Sequence, residues 1–263
     1  MTTSIPILYS DDALVVVHKP SGALVHRSAL ERDAPLIMLQ ALRDQLGQHV
    51  YPAHRLDRPT SGALLFALNP DMASALNRQF RDHQVYKRYL AIVRGMGPEQ
   101  VTYDWALRDE EGRRPKAQMP AMAALTHASR LDTVELPVQI DRYPTSRYSL
   151  MAVTPHTGRR HQIRRHLSRG GYPIIGDAKH GKGIHNRFFR DHFNAGRLLL
   201  AATTLGFYHP VQRQYLSVTA ALEDNMAALM TRFGWAGHCP QHRVQWHAEC
   251  PWPHATTETT HHD

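Results

Sequence analysis

The chain has 263 residues, of which 42% are hydrophobic, and it carries a formal net charge of +8. No run approaches the roughly 18 apolar positions of a membrane-spanning helix, and two cysteines are too few for a disulfide framework. The opening "MTTSIPILYSDDA" lacks the regions of a secretory signal, so we expect a cytoplasmic protein. The charge favours a polyanionic partner, with a merely basic soluble protein as the alternative.

Apolar and alternating runs predict strands, and helical spacing of apolar residues predicts helices. Asn69 followed by Pro70 is typical of a helix N-cap and first position. Because strands outnumber helices and do not alternate with them, a doubly wound parallel sheet is disfavoured. We predict an α+β domain over residues 1–235, with a large mixed or antiparallel sheet flanked by helices. The strands are predicted at 5–9, 13–19, 63–68, 86–95, 133–140, 146–155 and 198–209, and the helices at 35–46, 70–83, 161–169 and 224–233.

The C-terminal segment 236–263 is rich in Pro, His and Thr, and we expect a loosely ordered tail. It contains Cys239, His242, His247 and Cys250, which are residue types that bind zinc. Zinc modules usually place about a dozen residues between two such pairs, whereas only four separate His242 from His247 here. We therefore expect no metal.

Two segments place reactive side chains beside predicted strands. In "HRLDRPTSG" (54–62), Asp57 lies between Arg55 and Arg58, an arrangement that would keep a buried carboxylate ionised. A structural loop acid paired with a surface arginine is the alternative. In "YKRYLAIVRG" (86–95), alternation places Tyr89 on the same face as Lys87. A tyrosine that only packs on the sheet is the alternative there.

A third segment, "TGRRHQIRRHLSRGG" (157–171), feeds a Thr-Gly turn into a short helix dense in positive charge. Like charges so close together repel one another, which indicates an anionic partner such as phosphate or a buried carboxylate. A solvated basic face is the alternative. The basic residues are Arg159, Arg160, His161, Arg164, Arg165, His166 and Arg169.

Together, "HRLDRPTSG", "KRYLAIVRG" and "TGRRHQIRRHL" with "PIIGDAKHG" resemble the signature blocks of the RluA-type pseudouridine synthases, and "LVVVHKPSGALVH" (14–26) resembles their lead-in strand and turn. The resemblance covers about residues 5–220 and implies a catalytic domain that isomerises uridine without cofactor or metal. One departure is His180, where many relatives have tyrosine.

The resemblance also implies roles for individual residues. Asp57 is the catalytic carboxylate, and it attacks C1′, adds to C6 or helps to remove the C2′ proton; the sequence does not choose among these. Arg164 pairs with Asp57, because its planar guanidinium suits a carboxylate. Tyr89 stacks on the extruded uracil, and its hydroxyl is a candidate for deprotonating C5.

The remaining assignments concern the turn and the RNA. Arg55 is expected to fill the space vacated by the flipped base or to hold a neighbouring phosphate. The turn residues Thr60, Ser61 and Gly62 are expected to fix the direction of Asp57. Phosphate contacts are expected from Lys19, Arg160, Arg165 and Arg169.

Within the family, "HGKGIHNRFF" (180–189) and "MTRFGWAG" (230–237), together with an expected absence of an S4-type RNA-binding domain, resemble the bacterial subgroup that acts at uridine 65 of tRNA. Ribosomal RNA is the alternative substrate. A non-catalytic RNA-binding protein and a nucleoside or glycoside hydrolase are the alternative functions, although a hydrolase normally needs a second carboxylate. We expect a monomer with tRNA as its partner and no membrane association.

Overall fold

The computed structural model describes residues 4–27, 35–108 and 119–252. No helix in these ranges is long and apolar enough to cross a bilayer. The strands are β1 (Ile7–Ser10), β2 (Leu14–Lys19), β3 (Tyr51–Pro52), β4 (Ser61–Ala67), β5 (Tyr86–Arg94), β6 (Gln100–Asp104), β7 (Leu107–Arg108), β8 (Ala121–Met122), β9 (Leu125–Leu136), β10 (Ser146–Pro155), β11 (Leu200–Tyr208), β12 (Tyr215–Thr219) and β13 (Arg243–His247). The helices are α1 (Met38–Leu46), α2 (Pro70–Arg81), α3 (Gln162–Arg169), α4 (Gly183–Phe193) and α5 (Asp224–Arg232).

Eleven of the described strands form one mixed sheet with the order β1-β2-β4-β11-β5-β10-β9-β6. Strand β12 pairs with β11 and β13, and β3 pairs with β4. The contact between β4 and β11 is parallel, whereas the pairs that flank it are antiparallel. The predicted α+β class and large mixed sheet are therefore confirmed.

Helices cover both faces of the sheet because its central strands are apolar on both sides. In β2, Val15 and Val17 pack with α1, whereas Leu14 and Val16 belong to the cluster that includes Leu76 of α2. On β5 and β10, alternate residues likewise face α3 on one side and the helices α4 and α5 on the other. Near-continuous apolar strands are what burial on two faces requires.

Each of the four predicted helices is present, with its ends within three residues of those predicted. Asn69 caps α2 as expected, since its side-chain oxygen accepts a hydrogen bond from the backbone N–H of Met72 at 2.9 Å. Six predicted strands are present as well. The seventh, predicted at 133–140, overlaps β9 but has the wrong bounds. Strand β9 runs from Leu125 to Leu136, because it pairs with β10 along most of its length and with β6 over residues 125–129.

The prediction of a loosely ordered tail is wrong for residues 236–252. Strand β13 pairs with β12 over five residues, and the Trp252 ring stacks on Tyr86 with centroids 4.0 Å apart. His242 and His247 contact the Thr219 carbonyl and the Ser217 hydroxyl. Among the described residues no cluster of His, Cys, Asp or Glu is arranged to hold a metal. Residues 253–263 lie outside the described part.

The parallel contact of β4 with β11 depends on Gly62. Its φ is +116°, and a Cβ added there would lie 2.0 Å from the carbonyl oxygen of Ala202 on β11. A side chain at this position would thus both strain the backbone and push two central strands apart.

We expect Gly62→Ala to lower the free energy of unfolding by about 3 kcal/mol, because strain and overlap add. Urea unfolding followed by circular dichroism measures this change. Gly183→Ala is the matched control, since its Cβ would meet nothing within 4 Å. Equal stability of the Gly62→Ala and wild-type proteins would contradict the required close approach.

Candidate active site

Two clefts meet at Asp57. The first, which we call the Tyr89 cleft, has a volume of about 710 Å³ and includes Tyr89 and Lys87 in its lining. The second, which we call the Arg197 cleft, has a volume of about 640 Å³ and includes Arg197 and Lys179. Their shared wall consists of Arg55, Leu56, Asp57, Arg160, His161 and Arg164. The structure thus brings together four of the residues predicted from sequence, namely Asp57, Arg164, Arg55 and Arg160.

The loop that carries Asp57 is held by the turn after β2. The Arg58 carbonyl accepts hydrogen bonds from the backbone N–H of Gly22 at 2.8 Å and from Lys19 Nζ at 3.0 Å. The Ser21 hydroxyl donates to the Pro59 carbonyl. Within the loop, the Thr60 N–H donates to the Asp57 carbonyl. These bonds fix the backbone from the Asp57 carbonyl to Thr60, directly after the carboxylate.

The predicted phosphate contact of Lys19 is wrong. Its side chain is 0% exposed, and its ammonium group donates to the carbonyls of Pro20 and Arg58. Burial lowers the pKa of Lys19 to about 7. Lys19 therefore supports the Asp57 loop from inside the protein.

Arg164 connects two carboxylates. Its Nη1 donates to Oδ2 of Asp57 at 3.1 Å, which confirms the predicted pairing. Its Nε and Nη2 donate to the two oxygens of Asp177 at 2.7 and 2.8 Å. The side chains of Asp177 and Arg164 are 1% and 6% exposed, whereas that of Asp57 is 21% exposed. Asp57 is thus partly exposed at the cleft wall, and not fully buried as expected.

Asp177 is the site residue that sequence analysis missed. Burial favours its protonated form, but hydrogen bonds from Arg164 and from the backbone N–H groups of His180 and Lys179 outweigh burial and lower the pKa of Asp177. The result is a rigid bidentate ion pair that fixes the guanidinium plane. The sequence did contain a signal for Asp177, since it is the acid of the "PIIGDAKHG" block. The sequence analysis used that block for the family resemblance but assigned its aspartate no role.

The start of α3 is shaped by Gln162. Its side-chain oxygen accepts hydrogen bonds from the Thr157 hydroxyl and the Arg159 N–H, and its amide donates to the Leu125 carbonyl. His161 precedes it in the left-handed conformation, with φ of +52°. This turn places the His161 ring at the cleft wall and Arg164 one helical turn later.

His161 also faces Asp57. Its Nε2 lies 3.9 Å from Oδ2 of Asp57, and its Nδ1 lies 3.1 Å from Nε2 of His180. Burial lowers the pKa of His161, although the Asp57 charge opposes this effect. The ring is therefore neutral near pH 7.

Tyr89 and Asp57 line the same cleft. Burial and, secondarily, the Asp57 charge raise the pKa of its hydroxyl. The group is thus a neutral phenol at pH 7, which suits stacking and hydrogen-bond donation better than proton abstraction.

The predicted basic face of α3 divides into separate environments. Arg160 lies in the shared cleft wall. Arg165 Nη1 donates to the Arg108 carbonyl, and the Arg169 guanidinium lies 4.6 Å from the Trp105 ring centroid. Neither Arg165 nor Arg169 lines the two clefts. Basic residues that the predictions had not assigned line them instead, including Arg27, Arg81, His83, Lys87, Lys179 and Arg197.

Comparison with known proteins identifies relatives. A sequence profile described as RNA pseudouridylate synthase matches residues 13–169. "tRNA pseudouridine synthase C" of Pectobacterium carotovorum subsp. carotovorum is 48% identical over 246 residues, which cover 91% of this chain and 65% of that protein. The protein of that name from Vibrio cholerae is 46% identical, with 87% and 96% covered. The solved structure of human RNA Pseudouridylate Synthase Domain Containing 1 is 25% identical, with a TM-score of 0.67 over 93% of this chain and 92% of that one.

Proposed function

Because the chain belongs to the RNA pseudouridylate synthase family, as its motifs predicted, we propose that it converts uridine to pseudouridine in tRNA. Two similar curated relatives that carry the name tRNA pseudouridine synthase C support tRNA as the substrate. The subgroup motifs support uridine 65 as the position. We further propose that the protein acts as a cytoplasmic monomer.

The observation that carries this proposal is the position of Asp57 where two clefts meet, with Arg164 fixed beside it. The reaction breaks the bond between ribose C1′ and uracil N1 and joins C1′ to C5. The C5 proton leaves and N1 gains a proton, so nothing is oxidised and no water is consumed overall. A carboxylate at the sugar or base is the group that such glycosyl chemistry commonly requires.

Arg164 prepares Asp57 for this chemistry. Both contacts to the carboxylate from the described residues, those of Arg164 and His161, fall on Oδ2. This arrangement leaves Oδ1 for the substrate. Because Asp177 holds the Nε/Nη2 edge of the guanidinium through two hydrogen bonds, Arg164 keeps its position when Asp57 reacts.

Tyr89 and the Tyr89 cleft receive the base. The target uridine must leave its stack at a cost of a few kcal/mol, and stacking on an aromatic ring offsets part of that cost. The cleft also contains Lys87, whose pKa burial lowers to about 8. Arg55, exposed at the junction of the clefts, and Arg160 are our candidates for contacts to the flanking phosphates.

Tritium release tests the proposal. A tRNA transcript labelled with tritium at uracil C5 loses the label when C5 joins C1′, and sequencing of the product maps the modified position. Release at position 65 is the expected result. Release from ribosomal RNA alone would change the substrate, free uracil would indicate a hydrolase, and binding without release would indicate a non-catalytic RNA-binding protein.

Arg55→Ala is expected to weaken tRNA binding and to reduce the slope of log affinity against log salt by about 0.7 to 0.9, the value of one phosphate contact. Fluorescence anisotropy across a salt series measures both quantities. Arg43→Ala is the control, because Arg43 pairs with Asp44 on the surface and lines neither cleft. An unchanged slope for Arg55→Ala would remove Arg55 from the RNA contacts.

A further inference from the structure

We propose that His180 is a positioning residue that donates a hydrogen bond to Nδ1 of His161 and thereby directs the one N–H of that ring, on Nε2, at Asp57. This inference rests on the proposed function only for its effect on turnover. The arrangement of the three side chains is independent of the substrate.

Nδ1 of His161 and Nε2 of His180 lie 3.1 Å apart, at hydrogen-bond distance. One of these two nitrogens therefore carries a hydrogen and donates it to the other. If His161 donated it, the lone pair of its own Nε2 would face the Asp57 oxygen, so two acceptors would oppose each other at 3.9 Å. If His180 donates it, Nε2 of His161 carries the hydrogen and faces the carboxylate. The second arrangement removes the repulsion and is the one we assign.

A doubly protonated His161 is disfavoured by its surroundings. The charged and titratable groups that act on the ring are Asp57, Arg164, Arg160 and His180. Both arginines oppose a further positive charge, and burial does the same. His161 therefore offers Asp57 a neutral N–H dipole, which orients the carboxylate without adding charge to the cleft.

His180 is held well enough to perform this role. Its backbone N–H donates to Oδ1 of Asp177 at 2.9 Å, and its carbonyl accepts a hydrogen bond from the Ser168 hydroxyl at 2.7 Å. Because Asp177 also binds Arg164, one short loop organises both groups that contact Oδ2 of Asp57. The left-handed backbone of His161 fixes the other ring, and strain of this kind concentrates at functional sites.

Histidine at position 180, where many relatives have tyrosine, keeps a side chain that can donate a hydrogen bond. A tyrosine hydroxyl at position 180 would also be a hydrogen-bond donor. His180→Tyr should therefore keep a donor at Nδ1 of His161, whereas His180→Phe should remove that donor, and with it the support that holds the ring, while keeping an aromatic side chain.

Two measurements on the full-length protein test this inference. In ring-¹⁵N-histidine protein, with the His161 signal assigned by its loss in His161→Gln, we expect the Nε2–H tautomer in the wild type and in His180→Tyr. In His180→Phe, Nδ1 of His161 loses its hydrogen-bond donor, so its ¹⁵N signal should move from the wild-type position towards that of an unbonded ring nitrogen. A wild-type His161 with its hydrogen on Nδ1 would overturn the proposal, whatever the activity of the protein.

In the tritium assay, His180→Phe should lower kcat about tenfold, the value of one hydrogen bond near a charge, with KM unchanged. His180→Tyr should stay within about twofold of wild type. His49→Phe, at an exposed histidine outside both clefts, is the control. Equal loss in the Phe and Tyr variants would assign His180 a packing role and overturn the proposal. Absence of release from the wild type would contradict the proposed function, and the tautomer measurement would still decide this inference.

Discussion

Asp57→Asn is expected to reduce tritium release from labelled tRNA by at least about a thousandfold, the scale on which removal of a reacting group acts. The amide has nearly the same shape, and its oxygen still accepts a hydrogen bond from Arg164. It cannot, however, serve as a nucleophile or a base. Binding of tRNA should stay within about threefold, because no cation or phosphate contact is removed.

The comparison with Asp44→Asn separates this effect from a general loss of negative charge. Asp44 forms an exposed surface pair with Arg43 and lines neither cleft. Rates and binding are measured on the same preparations by tritium release and anisotropy. Wild-type turnover in Asp57→Asn would show that another group performs the chemistry.

Asp177→Asn is expected to lower kcat about a hundredfold and the free energy of unfolding by about 3 kcal/mol. The stability loss arises because one partner of a buried pair is removed and the Arg164 charge is left uncompensated. The catalytic loss arises because the guanidinium is no longer held in one plane when it meets Asp57. Urea unfolding and the tritium assay measure the two effects.

The stability difference should depend on pH. The folded-state pKa of Asp177 lies below its ordinary value of 3.8, so the stabilisation is fully present above that value and is lost as pH falls through the folded-state pKa. Wild type and Asp177→Asn should therefore converge in stability in acid. Asp191→Asn, which removes an exposed pair with Arg190, should show little difference at any pH. Parallel curves for Asp177→Asn would contradict the assignment.

The sheet was predictable where burial on two faces produced long apolar runs, as in β2 and β10. Other elements carried weaker signals. Helix α4 has its apolar side chains among histidines and arginines, and only His185 and Phe189 on it are buried. Strand β13 is half exposed, with Val244 and Trp246 facing outward. Its position is set by pairing with β12, which a local pattern does not reveal.

The candidate site likewise contains some residues that the sequence predicted and others that it did not. The pairing of Asp57 with Arg164 joins residues 107 positions apart, so it was accessible only through the family motif. The role of Asp177 depends on two backbone N–H groups in a tight turn, and that of Lys19 on complete burial. Neither property has a periodic signature. Sequence reasoning therefore found the reacting group and its cation but not the supports that fix them.

The sheet is complete only after β11 has inserted between β4 and β5. Strand β11 lies between β4 and β5 in the sheet but follows both by more than a hundred residues. Until it emerges from the ribosome, β4 and β5 have unpaired edges that can associate with other chains. Closure of the sheet must then be slow, because its contacts are distant along the chain. A chain in which β11 has not yet inserted therefore exposes two central strand edges, which makes it prone to association with other chains.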